Sequence, residues 1–220
     1  SVVLGSYGSG VSMAGGTVFA EAGVPAIGVT CTNPNITAGN DYYFRICFLD
    51  NFQAQVLVNF AKDKFSAQKA YCLGELGNEY DQGLIAFFEQ NFDGEVIKDS
   101  FPTNTSDFTT YLNKAVAEDV DVIFCNNDGM AEGVVSSLQG KGYNKDGGHV
   151  VPVFGVDATE NAKTLIAEGA MTGTVKQDAE GMALAICETV QAISAGKTVG
   201  DALASVQDVR FSIASDCASK

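Results

Sequence analysis

The feature that most constrains this chain is an alternation of two patterns. Short apolar runs of four to seven residues recur along it, separated by amphipathic stretches. The runs are 1–5 (SVVLG), 24–29 (VPAIGV), 67–73 (AQKAYCL), 95–101, 121–125 (DVIFC) and 150–155 (VVPVFG). Most are β-branched or aromatic, as strands covered on both faces are. Between them, Phe52, Val56, Leu57 and Phe60 fall on one helical face of 51–65. Leu84, Phe87 and Phe88 do the same in 80–92, and Met182, Ile186, Val190 and Ile193 in 179–195. Ser106 or Asp107 is placed to cap a further helix carrying Phe108, Leu112 and Val116. A β-α-β-α order with 24 glycines, mostly at turns, predicts an α/β fold with parallel sheets flanked by helices.

Composition narrows the function. The 220 residues are 46% hydrophobic and 18% charged, enough apolar surface for one large domain or two small ones. Twenty-seven acids against 13 bases give a charge of −14, which argues against a nucleic-acid partner and against an anionic membrane. No apolar run approaches the roughly 20 residues needed to span a bilayer. There is no signal-peptide pattern and no initiator Met, so a mature, trimmed or excised chain is expected. The six cysteines (Cys31, Cys47, Cys72, Cys125, Cys187 and Cys217) form no CxxC pair, and His149 is the one histidine. Neither a metal site nor a cofactor is expected. Cys47, Cys72 and Cys125 lie in apolar runs and read as buried free thiols. An even count also suits disulfides in an oxidising compartment, although no spacing requires them.

Ligands on parallel sheets bind at the carboxyl ends of the strands, and several loops there carry hydrogen-bonding groups. GSYGSG (5–10) runs into a helix start, where backbone N–H groups and the Ser9 hydroxyl can hold an anion or carboxylate. It is neither a dinucleotide fingerprint nor a P-loop, and no G-x-S-x-G elbow makes Ser9 a nucleophile. Cys31 and Thr32 follow the second strand, and Tyr80 opens a helix within GNEYDQG (77–83). Asn127 stands at the end of DVIFC, with Asp128 beside it as a candidate N-cap. Asp157, at the tip of VPVFG, can cap the helix at 159–168 or bind an ammonium or paired hydroxyls. Gln177 follows a short strand at 172–175. The segments 31–42 and 140–149 stand out as loops. No His–acid pair or paired general acid and base is evident, which favours a binding protein over an enzyme.

In this order the motifs resemble a known family. VLGSYGSG, AEAGVPAIGVTCTNPNIT, YYFRICFLDNFQAQVLVNFA, GNEYDQGL and the DF at 107–108 make residues 2–114 similar to the leucine/isoleucine/valine-binding proteins of bacterial ABC importers. NNDGMAEG, PVFGVDAT and LIAEGAMTGTVKQDAEG make residues 119–198 similar to the galactose/glucose-binding proteins. Both belong to the type I periplasmic binding fold, in which two hinged α/β lobes close on a small ligand. The resemblance implies that Ser9, Cys31 and Thr32 hold an amino acid's carboxylate and ammonium, with Tyr80 from the second lobe. It implies that Asn127, Asp157 and Gln177 meet sugar hydroxyls, Asp157 serving an ammonium equally. The sugar binders' stacking Trp has no counterpart, because the chain has no Trp.

The implied lobes are 1–47 plus 178–206, and 48–177 plus 208–220. The first lacks the family's two opening βα units, about 60–75 residues at ordinary lengths. A fragment or chimera is therefore expected, with an unpaired first-lobe strand open to self-association. The implied function is extracytoplasmic (periplasmic or extracellular) capture of an amino acid, or next a sugar, for an ABC permease. The alternatives are a sensor domain of a receptor or regulator, a nucleotide or flavin enzyme resting on GSYGSG alone, and a non-binding fragment.

Overall fold

In the computed structural model, residues 1–204 and 212–213 are described. The chain divides into two compact units. Unit 1 comprises Ser1–Gln53 and Asp178–Arg210, and unit 2 comprises Ala54–Gln177 and Phe211–Lys220.

Unit 2 is built on a sheet of β4 (Lys69–Glu75), β5 (Glu95–Phe101), β6 (Val122–Cys125), β7 (Val153–Val156), β8 (Gly173–Lys176) and β9 (Ser212–Ile213). Their spatial order is β5-β4-β6-β7-β8-β9, parallel except for the antiparallel β9. A terminal strand over 208–220 is expected from the sequence, and only its residues 212–213 lie within the described chain. Alternate residues face opposite sides of a strand, and here both sides are apolar. Tyr71, Leu73, Ile123, Cys125 and Val153 pack on one face with Leu112, Val134 and Leu138. Ala70, Cys72, Val122, Phe124, Phe154 and Val156 pack on the other with Val58, Phe88 and Phe92. Phe124 links this second face, with ring centroids 5.3 Å from both Phe88 and Phe154. The covering helices are α2 (Asp50–Phe65, of which Ala54 onward belongs to this unit), α3 (Glu79–Asn91), α4 (Thr109–Ala117), α5 (Asp128–Gly140) and α6 (Glu160–Ala167). The outermost strand β5 carries Glu95, Lys98 and Asp99 on a mostly half-exposed strand, which suits an edge.

Unit 1 is smaller. Its sheet is β1 (Val3–Leu4), β2 (Ala26–Gly28) and β3 (Tyr43–Arg45), all parallel, with α1 (Ser9–Glu21), α7 (Ala179–Ser194) and α8 (Val199–Ala204). The core holds Ala26, Cys31, Ile36 and Tyr43, with Val3, Met13 and Phe19 against it. Polar bonds supplement so small a core. The Tyr43 hydroxyl donates to Gly5 O at 2.8 Å and accepts from Ser6 N at 3.0 Å. The Arg45 guanidinium donates to Cys31 O, Asn33 O, Pro34 O and the Thr37 hydroxyl.

Several local expectations change. The strand expected over 1–5 is two residues long, and β3 is not anticipated at all, because Arg45 breaks its apolar run. The cap of α5 is Asn127, whose Oδ1 accepts from Met130 N at 2.9 Å, rather than Asp128. Thr159, not Asp157, caps α6. Asp107 takes the Thr109 N–H at the start of α4. Cys47, Cys72 and Cys125 are buried free thiols, as expected. No described helix is long and apolar enough to cross a membrane.

The loop 140–149 enters β7 from a helix, so it lies at the amino ends of the strands, away from the ends that bind ligands. Its role is structural. Asn144, 1% exposed, donates through Nδ2 to Val151 O at 2.8 Å and Ala170 O at 2.9 Å, and accepts from Val151 N at 2.8 Å. Its φ of +48° is one that Asn tolerates better than most residues. Asn144→Ala strands these buried backbone groups and is expected to cost about 3 kcal/mol. Lys145→Ala on the exposed side of the loop is expected to stay within about 0.5 kcal/mol. Urea unfolding midpoints of the two variants measure both.

Candidate functional site

In unit 1 the carboxyl ends of β1 and β2 meet the start of α1. Gly8 occupies the N-cap position with no side-chain cap, so the first-turn N–H groups of α1 lack a side-chain acceptor there. Ser9 is 3% exposed, and its hydroxyl accepts from Asn33 N at 3.3 Å, which leaves its own O–H to donate. Thr32 is 4% exposed, and its buried Oγ1 has no hydrogen-bond partner among the described residues. A buried hydroxyl without a partner is costly and calls for an explanation. Cys31 sits between them in sequence, but its thiol turns into the core beside Ile36 and Tyr43. Ser9 and the segment after β2 are therefore brought together, with the Cys31 side chain pointing away into packing.

In unit 2 the polar groups gather at the carboxyl ends of β4, β6, β7 and β8. Asn78 caps α3 by accepting from Tyr80 N and Asp81 N, which sets Tyr80 in the first turn. The half-buried Tyr80 directs its hydroxyl towards Asn126 O, 3.4 Å away. Asn127 spends its Oδ1 on the α5 cap, leaving its amide NH2 to donate elsewhere. Gln177 Nε2 donates to Asp157 Oδ1 at 2.8 Å, leaving the Gln177 carbonyl oxygen as an acceptor. The structure thus pairs Asp157 with Gln177, and places Tyr80 beside the strand end that carries Asn126 and Asn127.

The corner at Asp157 is strained. Asp157 has φ +111° and Ala158 φ +56°, a region that L-residues other than Asn and Asp seldom adopt. Three bonds hold it there. Asp157 N donates to Val175 O at 2.9 Å, Ala158 N to the Thr174 hydroxyl at 3.1 Å, and Thr159 N to Asp128 Oδ2 at 2.7 Å. Asp128 Oδ1 also accepts from the Thr174 hydroxyl at 2.6 Å. Asp128 reaches that position only because residue 155 is Gly, since a Cβ there would lie 2.3 Å from Asp128 Oδ1. Asp128 and Thr174 are thus supports of the site that sequence spacing does not reveal.

Burial raises the Asp157 carboxyl above its usual range, opposed by the Gln177 hydrogen bond and reinforced by the Asp128 charge. The residue is exposed overall, so the crowding concerns its carboxyl rather than its whole surface. Among the described residues no group of three or more His, Cys, Asp or Glu side chains could hold a metal ion. A groove of about 370 Å³ between α3 and β5 is lined by Asp81, Glu89, Lys98 and Asp99. Within the unit Lys98 pairs with Glu89 at 2.6 Å and Asp99 with Lys114 at 3.0 Å.

A family profile described as a periplasmic binding protein domain matches residues 19–198. The chain belongs to this periplasmic binding protein family. One stretch of 88 residues is 35% identical to the D-galactose/methyl-galactoside binding periplasmic protein of Haemophilus influenzae, covering 40% of this chain and 25% of that protein. Another of 127 residues is 28% identical to a Leu/Ile/Val-binding protein of Rhizobium johnstonii, covering 56% of this chain and 34% of that protein. The matches therefore span about a third or less of these curated relatives. Among solved structures, the isoleucine-bound branched-chain amino acid transporter substrate binding protein of Streptococcus pneumoniae aligns with a TM-score of 0.67 at 24% identity. That alignment covers 93% of this chain and 61% of that one. A solute binding protein of an ABC transporter from R. palustris, in complex with 4-hydroxybenzoate, aligns with a TM-score of 0.71 at 18% identity. It covers 96% of this chain and 67% of that one, and both structures establish the shared fold. The relatives so named are binding proteins rather than enzymes.

The raised Asp157 carboxyl has a consequence for stability. Its native pKa lies above its unfolded one, so its favourable contribution is full below the unfolded value and is lost as pH rises through the native value. Asp157→Asn keeps the oxygen that Gln177 bonds and removes the charge. At neutral pH this variant is expected to unfold at an equal or higher urea concentration than the parent. The difference should vanish in acid, below the unfolded carboxylate pKa. A parent that gains on the variant as pH rises would contradict this electrostatic account.

Proposed function

We propose that this chain is an extracytoplasmic solute-binding protein of an ABC importer, taking an amino acid in preference to a sugar. The observation that carries the reading is the buried, unpartnered Thr32 hydroxyl beside Ser9 and the uncapped start of α1. Ser9 O–H, Thr32 O–H and the first-turn N–H groups are all donors, and a carboxylate accepts from all of them. In unit 2, Asp157 offers a carboxylate for an ammonium or for two hydroxyls. The strain at Asp157 and Ala158 supports a functional use of that corner. Tyr80, Asn127 and Gln177 add polar contacts, and Cys31 contributes main chain only, its thiol being buried in the core. Units 1 and 2 are the two lobes on this reading, joined where the chain passes through α2 and between Gln177 and Asp178.

This assignment needs no turnover. The single histidine lies in the 140–149 loop of unit 2, at the strand ends opposite to those that carry Asn127, Asp157 and Gln177. The downstream partner is a permease that accepts the loaded protein. β1 has one sheet neighbour, β2, among the described residues, and its other side is available to a second copy. Sedimentation velocity is expected to show concentration-dependent dimers; a monomer at every concentration would contradict that part.

Calorimetric titration with leucine, isoleucine, galactose and 4-hydroxybenzoate tests the function. Saturable binding of an amino acid is expected, and Thr32→Val should weaken it roughly tenfold by removing one donor. Absence of binding by every member of the panel would contradict the proposal.

A further inference from the structure

The solute-binding reading makes no use of the thiols, and two of them lie together in unit 1. Cys31 follows β2 by three residues, and Cys47 follows β3 by two. β2 and β3 are neighbours, with Gly28 opposite Arg45, and Ile46 N donates to Gly28 O at 3.1 Å. This register brings both cysteines to the same end of the sheet. Glycine makes the room, because a Cβ on Gly28 would lie 2.1 Å from the Cys31 sulfur. Cys31 is 0% exposed and Cys47 is 9% exposed, and their thiols hydrogen bond to each other. A disulfide needs its two Cα atoms within about 7 Å of each other, and paired neighbouring strands together with a thiol–thiol hydrogen bond are the setting that meets this.

The surroundings polarise the pair. The Cys47 hydrogen bond holds Cys31 below the usual thiol range, and Ser12 and the Arg45 charge act in the same direction against burial. The same bond pushes Cys47 up. A thiolate beside a thiol is the arrangement from which disulfide exchange proceeds. Cys72 and Cys125 lack it. Burial pushes Cys72 up to about 12 and raises Cys125 as well, both within the core of unit 2. Cys187 is exposed on α7.

We propose that Cys31 and Cys47 form a disulfide when the chain meets a disulfide-bearing oxidant. Two S–H bonds break and one S–S bond forms. The two protons and two electrons pass to the oxidant, which leaves as its pair of thiols. The cross-link closes the segment from 31 to 47, which carries Thr32 and Asn33, onto the end of β3. It constrains a lobe whose core holds few large side chains, and the extracytoplasmic setting proposed above is one where such bonds persist.

Arg45 is the first basic residue of the chain, so trypsin cuts between the two cysteines and yields peptides 1–45 and 46–62. The full chain is equilibrated with oxidised glutathione, quenched in acid, denatured, alkylated and digested. The expected product is 1–45 joined to 46–62, separable by dithiothreitol, with Cys72 and Cys125 alkylated. Separate alkylated peptides, glutathione adducts on either cysteine, or links to a different cysteine would overturn the proposal. A melting comparison gives a second readout. The oxidised parent should lose several degrees of Tm on reduction, whereas Cys31→Ala/Cys47→Ala should lose none; equal responses would count against the bond. The digest is decisive even if that variant fails to fold, and it does not depend on whether any solute binds.

Discussion

Burial of the unit 2 sheet on both faces is the constraint on which the rest depends. Its strands cannot expose backbone polar groups, so each pairs with its neighbours and each face must be apolar. Phe124 shows this directly, packed on Phe88 and Phe154 while its neighbours Ile123 and Cys125 point to the opposite core. A sheet covered this way has room for polar chemistry only where its strands end. Asn127, Asp157 and Gln177 occupy those ends, held by helix caps and by the Asp128–Thr174 bond. The unit 2 part of the candidate site is a product of the sheet rather than an addition to it.

Unit 1 solves the same problem with less material. Three strands of two or three residues cannot bury much, so hydrogen bonds from Tyr43 and Arg45 tie the segments together. The same economy leaves Thr32 with a buried hydroxyl that no group among the described residues satisfies. A bound solute would satisfy it, which makes the cost in the free protein intelligible as preorganisation. The Cys31–Cys47 pair belongs to the same small core and offers it a covalent reinforcement.

Much of unit 2 is legible in the sequence, because its strands are dense in Val, Ile, Phe and Cys and its helices keep their period. Strand 95–101 and helices 51–65 and 80–92 lie within one residue of their observed limits. What fails is whatever depends on distant partners. Asp128 has the spacing of a cap, yet its carboxylate bonds residues 31 and 46 positions away. β3 is hidden because Arg45, a charged residue, serves the loop at 31–37. The polar composition of 140–149 reads as an open loop, whereas Asn144 turns inward to bind backbone. Asp157 is readable as an acid at a strand end; its positive φ is not. The cysteine pair is invisible to spacing rules because a parallel register, not a short motif, brings it together.

On the proposed reading, a solute meets this chain at the carboxyl ends of its strands. Hydrogen–deuterium exchange, with and without a saturating solute from the calorimetric panel, tests it most directly. Slower exchange is expected in segments 9–11, 30–33, 78–81 and 157–159, with 140–149 unchanged. Protection confined to 140–149, or spread evenly over both units, would contradict it.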